Sequence, residues 1–279
     1  MKRLQAPAEY ADWLSPDWSA PDNVRAVFTT RSGGVSGVPW DSMNLADHVF
    51  DNRECVDANR ALLQKKMSMR SVFLKQVHGT EVLTLDSATP DGLQADACVT
   101  RQPNLACTIM VADCLPVLLA SEDGAMVAAV HAGWRGLAGI EGQGIVESSL
   151  NSFNELNKPA SQTNNKSIAI KTIAWLGPCI GPLAFEVGAD VKFAFERTHR
   201  DAHQHFVSMG QDKYLADLAG LARLRLQAQG VTQIYGNDGT VPWCTVSNPS
   251  KFFSHRRDAG ANGNGFQTTG RMAACIWRE

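Results

Sequence analysis

The chain has 279 residues, 19% of them charged, and its 26 Lys and Arg nearly balance 28 Asp and Glu for a net charge of −2. With no long basic run there is no nucleic-acid footprint, and no stretch reaches the roughly 20 apolar residues that a membrane span needs. Seven cysteines, odd in number and widely spaced, argue against a disulfide framework, and the absence of Cys-x-x-Cys or His-Glu-x-x-His excludes an ordinary zinc ribbon or zincin site.

The first residues, MKRLQAPAEYADWL, carry two basic side chains but no apolar segment after them, so the expectation is a soluble, cytoplasmic chain forming one domain over residues 1–279. VRAVFTT (24–30) alternates and is rich in β-branched residues, and RSGGVSG (31–37) breaks it: a strand running into a glycine turn. Residues 51–67 place Val56, Leu62 and Leu63 at helical spacing among charges, with Asp51 as the cap. Between 72 and 131 the runs SVFLKQV, EVLTL, DACVT, ACTIMV, PVLLA and MVAAV follow one another without a helix, which indicates a largely antiparallel sheet. Beyond the glycine-rich WRGLAGIEGQG come a helix near 144–153, an exposed polar loop at 158–167, and a strand at 170–177. Helices are expected over 187–198 and 212–229, the second with Leu215, Leu218, Leu221, Ala222 and Leu226 on one face, and late strands at 231–235 and 273–277. The sum is an α+β fold with a large mixed, mainly antiparallel sheet and flanking helices.

The stretch ADCLPVLLASEDGAMVAAVHAGWRG (112–136) sets Cys114 and His131 at the outer ends of two apolar runs. If Ser121 to Gly124 form a four-residue hairpin loop, Ala120 faces Ala125 and Cys114 falls opposite His131, within reach of one metal ion. His78 in QVHGTEV also ends a strand and is a third candidate donor. A Cys-His-His set suits zinc with an open fourth position, or copper if the chemistry is redox. The same residues could instead form a Cys-His nucleophilic pair, with His131 or His78 as base to a Cys114 thiolate, or serve only structure. His199, His203 and His205 lie in the polar stretch THRDAHQHF and read as solvated surface. Arg31 beside Gly33 and Gly34, with Arg256 and Arg257, offers guanidinium groups for phosphate. Asn44, Gln76 and Asp113 could hydrogen-bond a substrate or orient a liganding histidine, and Glu186 could be an acid or a helix N-terminal carboxylate.

Ordered pieces of the chain, TTRSGGVS, NLADHVFDN, QVHGTEV, ADACVT, ADCLPVLL, VAAVHAGWRG, WLGPCIGPLAFEVG, FFSHRRD and TTGRMAACIW, closely resemble the YfiH-like laccase-domain proteins. That family is also called the purine nucleoside phosphorylase, formerly polyphenol oxidase, family. The resemblance runs from about residue 24 to the carboxyl terminus and implies an α/β domain similar in core to the catalytic domain of cytotoxic necrotizing factor. It implies zinc held by His78, Cys114 and His131, the same three residues proposed from spacing. It implies phosphorolysis of adenosine, inosine, guanosine and methylthioadenosine, with phosphate as co-substrate, and deamination of adenosine to inosine. Older family labels imply copper-dependent phenol oxidation, and some relatives are tied to removal of wrongly built peptidoglycan precursors. The chain departs from the pattern at GLAGIEGQGIVE and at 259–267, both expected at the mouth of the pocket.

Overall fold

Every residue of Leu105–Val111 (β5), Leu115–Ser121 (β6) and Val127–Ala132 (β7) is buried, so these apolar runs lack the alternation of a half-exposed strand. The reason is that two sheets stack and each has its outer face covered. A computed structural model describes residues 13–157, 171–259 and 267–279. One sheet sets Val24–Phe28 (β1), Met272–Arg278 (β13), β5 and Arg70–Phe73 (β2) side by side in that order. The second runs Gln233–Gly236 (β12), Thr172–Leu176 (β8), β6, β7, Ala97–Thr100 (β4) and Val82–Thr84 (β3). A small third sheet joins Phe206–Gly210 (β10), Lys213–Ala216 (β11) and Glu186–Gly188 (β9). The mixed, mainly antiparallel character is as expected, with β2–β5, β3–β4 and β8–β12 the parallel pairs. The single large sheet is replaced by a stacked pair and a ribbon.

Between the stacked sheets lie Phe28, Cys107, Ile109, Ala274 and Ile276 from one and Cys98, Leu118, Ala129 and Trp175 from the other. Phe28 packs on Trp175 and edge-on to Phe252, with ring centroids 6.5 and 6.0 Å apart. Such ring pairs add about 0.5–1.5 kcal/mol to area burial. The far face of the six-stranded sheet is covered by Ile145–Leu156 (α3), Ala189–Glu196 (α4) and Leu218–Ala228 (α5). The far face of the four-stranded sheet is covered by Arg53–Met67 (α1) and by Met43, Leu45 and Val49. None of the helices among the described residues is long and apolar enough to cross a membrane.

Two local expectations are corrected. Asn52, not Asp51, caps α1 through its side-chain oxygen, because Asp51 is turned inward to accept from Ser36 and Asn44. The helix expected over 212–229 begins only at Leu218, capped by Asp217. Lys213–Ala216 pairs as β11, so Leu215 belongs to a sheet and not to the helical face. The loop expected at 158–167 lies outside the described residues.

Candidate metal centre

The β6–β7 ladder closes at Ala120 opposite Val127, so the connecting loop is two residues longer than the spacing suggested at each strand's register. His131 therefore faces Pro116, and Cys114, just before β6, sits one step beyond the Leu115–Ala132 pair, diagonal to His131. A shift of two residues preserves the face on which a side chain lies, whereas a shift of one would have separated the two donors. The His78 ring closes the group: its Nε2 is 3.6 Å from Cys114 Sγ and its centroid 4.8 Å from that of His131. All three donor atoms lie within 4.8 Å of one another. Zinc bond lengths imply a ligand–ligand separation of about 3.5 Å, which the His78–Cys114 pair already meets. Glycine is demanded at position 133, where a Cβ would stand 2.7 Å from the His78 ring.

Spacing did not single out Asp96, the residue that organises this group. Its buried carboxylate accepts Nδ1 of His131 at 2.8 Å and the backbone N–H groups of Val77, His78 and Gly79 at 3.1, 2.8 and 2.7 Å. His78 needs that grip, because its backbone is left-handed at φ 61°, an unfavourable conformation for a side chain bearing Cβ. With Nδ1–H committed to Asp96, the second nitrogen of His131 is left to face Cys114 and His78. Burial would raise the Cys114 thiol, but the charge and hydrogen bond of His131 and the contact with His78 outweigh it and lower it to about 6. Burial would lower His131, but the Cys114 charge and the Asp96 hydrogen bond raise it to about 9. The metal-free site at neutral pH is thus a thiolate–imidazolium pair. A thiolate and two imidazoles, one oriented by a carboxylate, fit zinc and also accommodate copper.

These donors open into a cavity of about 440 Å³ whose wall includes Gln76, Trp134, Phe185, His255, Arg256 and Arg271. Among the residues expected to hold substrate, the structure brings Gln76, Asp113 and Arg256 to this wall and leaves Arg31, Asn44 and Arg257 in the scaffold. Gln76 spends its amide on the backbone N–H and C=O of Met110. Arg256 donates to the carbonyls of Ala184 and Glu186. Arg31 donates to the carbonyls of Asp41 and Pro249 and to the Asp41 carboxylate, and stacks on Phe253. Arg257 is consumed by three backbone carbonyls and Asp258. Asn44, fully buried, bridges Ala46, Asp51 and the backbone N–H of Arg271. Asp113 lines the cavity but accepts from the Thr245 hydroxyl and the Arg256 backbone.

Glu186 opens β9 and pairs with Lys213 of β11 instead of heading a helix. His203 Nδ1 donates to the Arg200 carbonyl, and His205 lies 3.7 Å from Asp217, both away from the cavity. No residue of the glycine-rich departure at 136–147 lines the cavity, contrary to its expected place at the mouth; Trp134 and Arg135, just before it on Trp134–Ala138 (α2), do reach the wall. The Gly139–Gly144 turn is pinned instead by Arg225, which holds the carbonyls of Ala138 and Gly142 while pairing with buried Glu147.

The fold and donor set define an α/β protein with a candidate three-ligand metal centre at the base of a cavity. The chain belongs to the family described as multi-copper polyphenol oxidoreductase laccase, whose model matches residues 25–279. It is 43% identical over 268 residues to a purine nucleoside phosphorylase of Pseudomonas aeruginosa, covering 96% of this chain and 98% of the relative. It is 43% identical over 266 residues to the Escherichia coli purine nucleoside phosphorylase YfiH, covering 95% and 98%. Among solved structures it superposes on a Neisseria meningitidis protein of family DUF152 with a TM-score of 0.81 at 40% identity, covering 96% of this chain and 99% of that one. YlmD of Geobacillus stearothermophilus aligns with a TM-score of 0.77 at 27% identity, covering 100% and 98%.

Proposed function

We propose that the chain is a zinc-dependent purine nucleoside phosphorylase acting on adenosine, inosine, guanosine and methylthioadenosine, and that the same site deaminates adenosine. The observation that carries this reading is the open Cys114–His78–His131 set facing a cavity of about 440 Å³, large enough for a nucleoside. The names of relatives that match nearly the whole chain support the reaction class. Zinc in such a site supplies a Lewis acid and lowers the pKa of bound water. The chain's own residues do the rest. Asp96 keeps the Nδ1 proton of His131 and fixes the ring, while Trp134 and Phe185 offer apolar surface to a purine and help exclude water. All seven cysteines are free, which suits a reducing compartment, the cytoplasm.

A copper-dependent phenol oxidase is the second reading, favoured by the description of the matching family. Among the described residues the only three-donor group is His78, Cys114 and His131, and the remaining segments contain neither His nor Cys. That donor count supports one metal ion, not a multi-copper assembly. The deciding experiment gives zinc-loaded protein a nucleoside panel with and without phosphate, and phenols with copper and oxygen. Free base should appear only with phosphate, and His78→Ala should abolish it. Full activity in that variant, or base release without phosphate, would defeat the proposal. Phenol turnover alone would favour the oxidase. Metal binding without either turnover would leave a noncatalytic module or an editor of peptidoglycan precursors.

A further inference from the structure

We propose that Arg271, assisted by the imidazoles of His48 and His255, forms the oxyanion subsite that receives inorganic phosphate beside the metal centre. The assignment rests on the phosphorylase reading and replaces the arginines that spacing put forward. Three guanidinium groups line the cavity, those of Arg135, Arg256 and Arg271. Arg256 is spent on two backbone carbonyls, and exposed Arg135 lies over the Trp134 ring, 4.4 Å from its centroid.

Arg271 differs from both. Only its Nη1 is engaged, at the carbonyls of Thr269 and Gly270, and its Nε and Nη2 meet no acceptor among the described residues. It forms no ion pair with any described carboxylate. Asp113, whose charge acts on it, is already claimed by the Thr245 hydroxyl and the Arg256 backbone. Burial lowers the Arg271 pKa, the signature of a cation withdrawn from water, with the Cys114 and Asp113 charges acting against that fall. A withdrawn cation lacking a counter-ion is a place where an anion gains most, and the free edge of a guanidinium matches two oxygens of a phosphate.

The neighbours fit the same ligand. His48 and His255 share the cavity wall with Arg271. Burial, then the Arg271 charge, lowers both imidazoles, so near neutral pH neither adds a further charge. His255 can present an N–H, while His48 turns its Nδ1 toward the Asp47 carboxylate at 3.7 Å and leaves its other ring nitrogen for the ligand. Proximity to the centre follows from the shared cavity, which His78, Cys114 and His131 line together with His48, His255 and Arg271. The guanidinium is also fixed at its root, because buried Asn44 accepts the Arg271 backbone N–H at 3.0 Å.

The test uses the full chain loaded with zinc and titrates it with inorganic phosphate alone, by calorimetry and by ³¹P line broadening. Wild-type protein should bind phosphate, and Arg271→Gln should weaken binding about tenfold or more, with Arg271→Lys between the two. In turnover the phosphate KM should rise in Arg271→Gln while the nucleoside KM stays within about twofold. Zinc content and melting temperature are measured on each preparation. No phosphate binding by the wild type, or equal binding by a folded, zinc-loaded Arg271→Gln, would overturn the subsite. Loss of zinc along with phosphate would also overturn it, in favour of an effect borne by the metal. Phosphate binding that depends on Arg271 in a protein inert towards nucleosides would support the subsite and defeat only the phosphorylase reading.

Discussion

Cys114 is lowered to about 6 by His131 and His78 against the opposing effect of burial, while His131 holds its proton to about 9. Through that window the metal-free protein carries a thiolate, whereas an isolated cysteine becomes one near 8.5. Protonation below pH 6 removes the nucleophile, so the reactivity of Cys114 should climb as pH rises through 6 and then level off. On a Cys55→Ser background, which removes the other partly exposed thiol, iodoacetamide labelling followed by mass spectrometry should show that midpoint. Added zinc should suppress labelling. A midpoint near 8.5 would mean that His131 does not hold the compensating proton. The three donors were legible because soft side chains at strand ends stand out against apolar runs. Asp96 was not, since it only opens the run DACVT and nothing in the spacing ties it to His78 or His131; the fold shows four donors converging on it. Arg271, His48 and His255 were hidden for a different reason: they come from segments far apart in sequence, which no periodicity relates.

At the scale of elements, Asp96 ties the start of β4 to His131 in β7 and to the turn at Val77–Gly79 that leads away from β2. Asp96→Asn keeps the shape but replaces one acceptor oxygen with an amide donor. Of four hydrogen bonds accepted now, about two would be lost, and an unsatisfied buried group costs about 1–3 kcal/mol. The variant should be about 2–6 kcal/mol less stable in urea unfolding and bind zinc about 10–100-fold more weakly by competition with a chelator. Unchanged zinc affinity would reduce Asp96 to a scaffold residue. The hairpin shows how little error the site tolerated in the sequence reading. A loop longer by two residues moved the partner of Cys114 from His131 to Gly133, yet parity kept both donors on one face. The strand Lys213–Ala216 escaped for the opposite reason, because its Leu215 and Ala216 continue the apolar spacing of α5 until Asp217 caps the helix.

Over the whole molecule, the centre sits where the chain crosses between the stacked sheets. His78 lies on the passage from β2, in the four-stranded sheet, to β3, in the six-stranded one, and Cys114 on the passage from β5 to β6. His131 belongs to β7 at the middle of the six-stranded sheet. A metal ion held by all three therefore joins two crossover segments to the central sheet, and these positions exist together only in the folded chain. Ligands that bind the native state alone stabilise it by mass action, about 2.7 kcal/mol at a free concentration 100 times Kd. For a chain of this size each kcal/mol moves Tm by about 2–4 °C, so removing the metal should lower Tm by about 5–10 °C. Calorimetry of stripped and zinc-replenished protein measures the shift, and Cys114→Ser should respond far less to added zinc. A Tm indifferent to zinc in the wild-type protein would mean that the crossovers are fixed by packing and Asp96 alone. In that case the donors would be pre-set by the fold, and the metal would contribute chemistry without contributing stability.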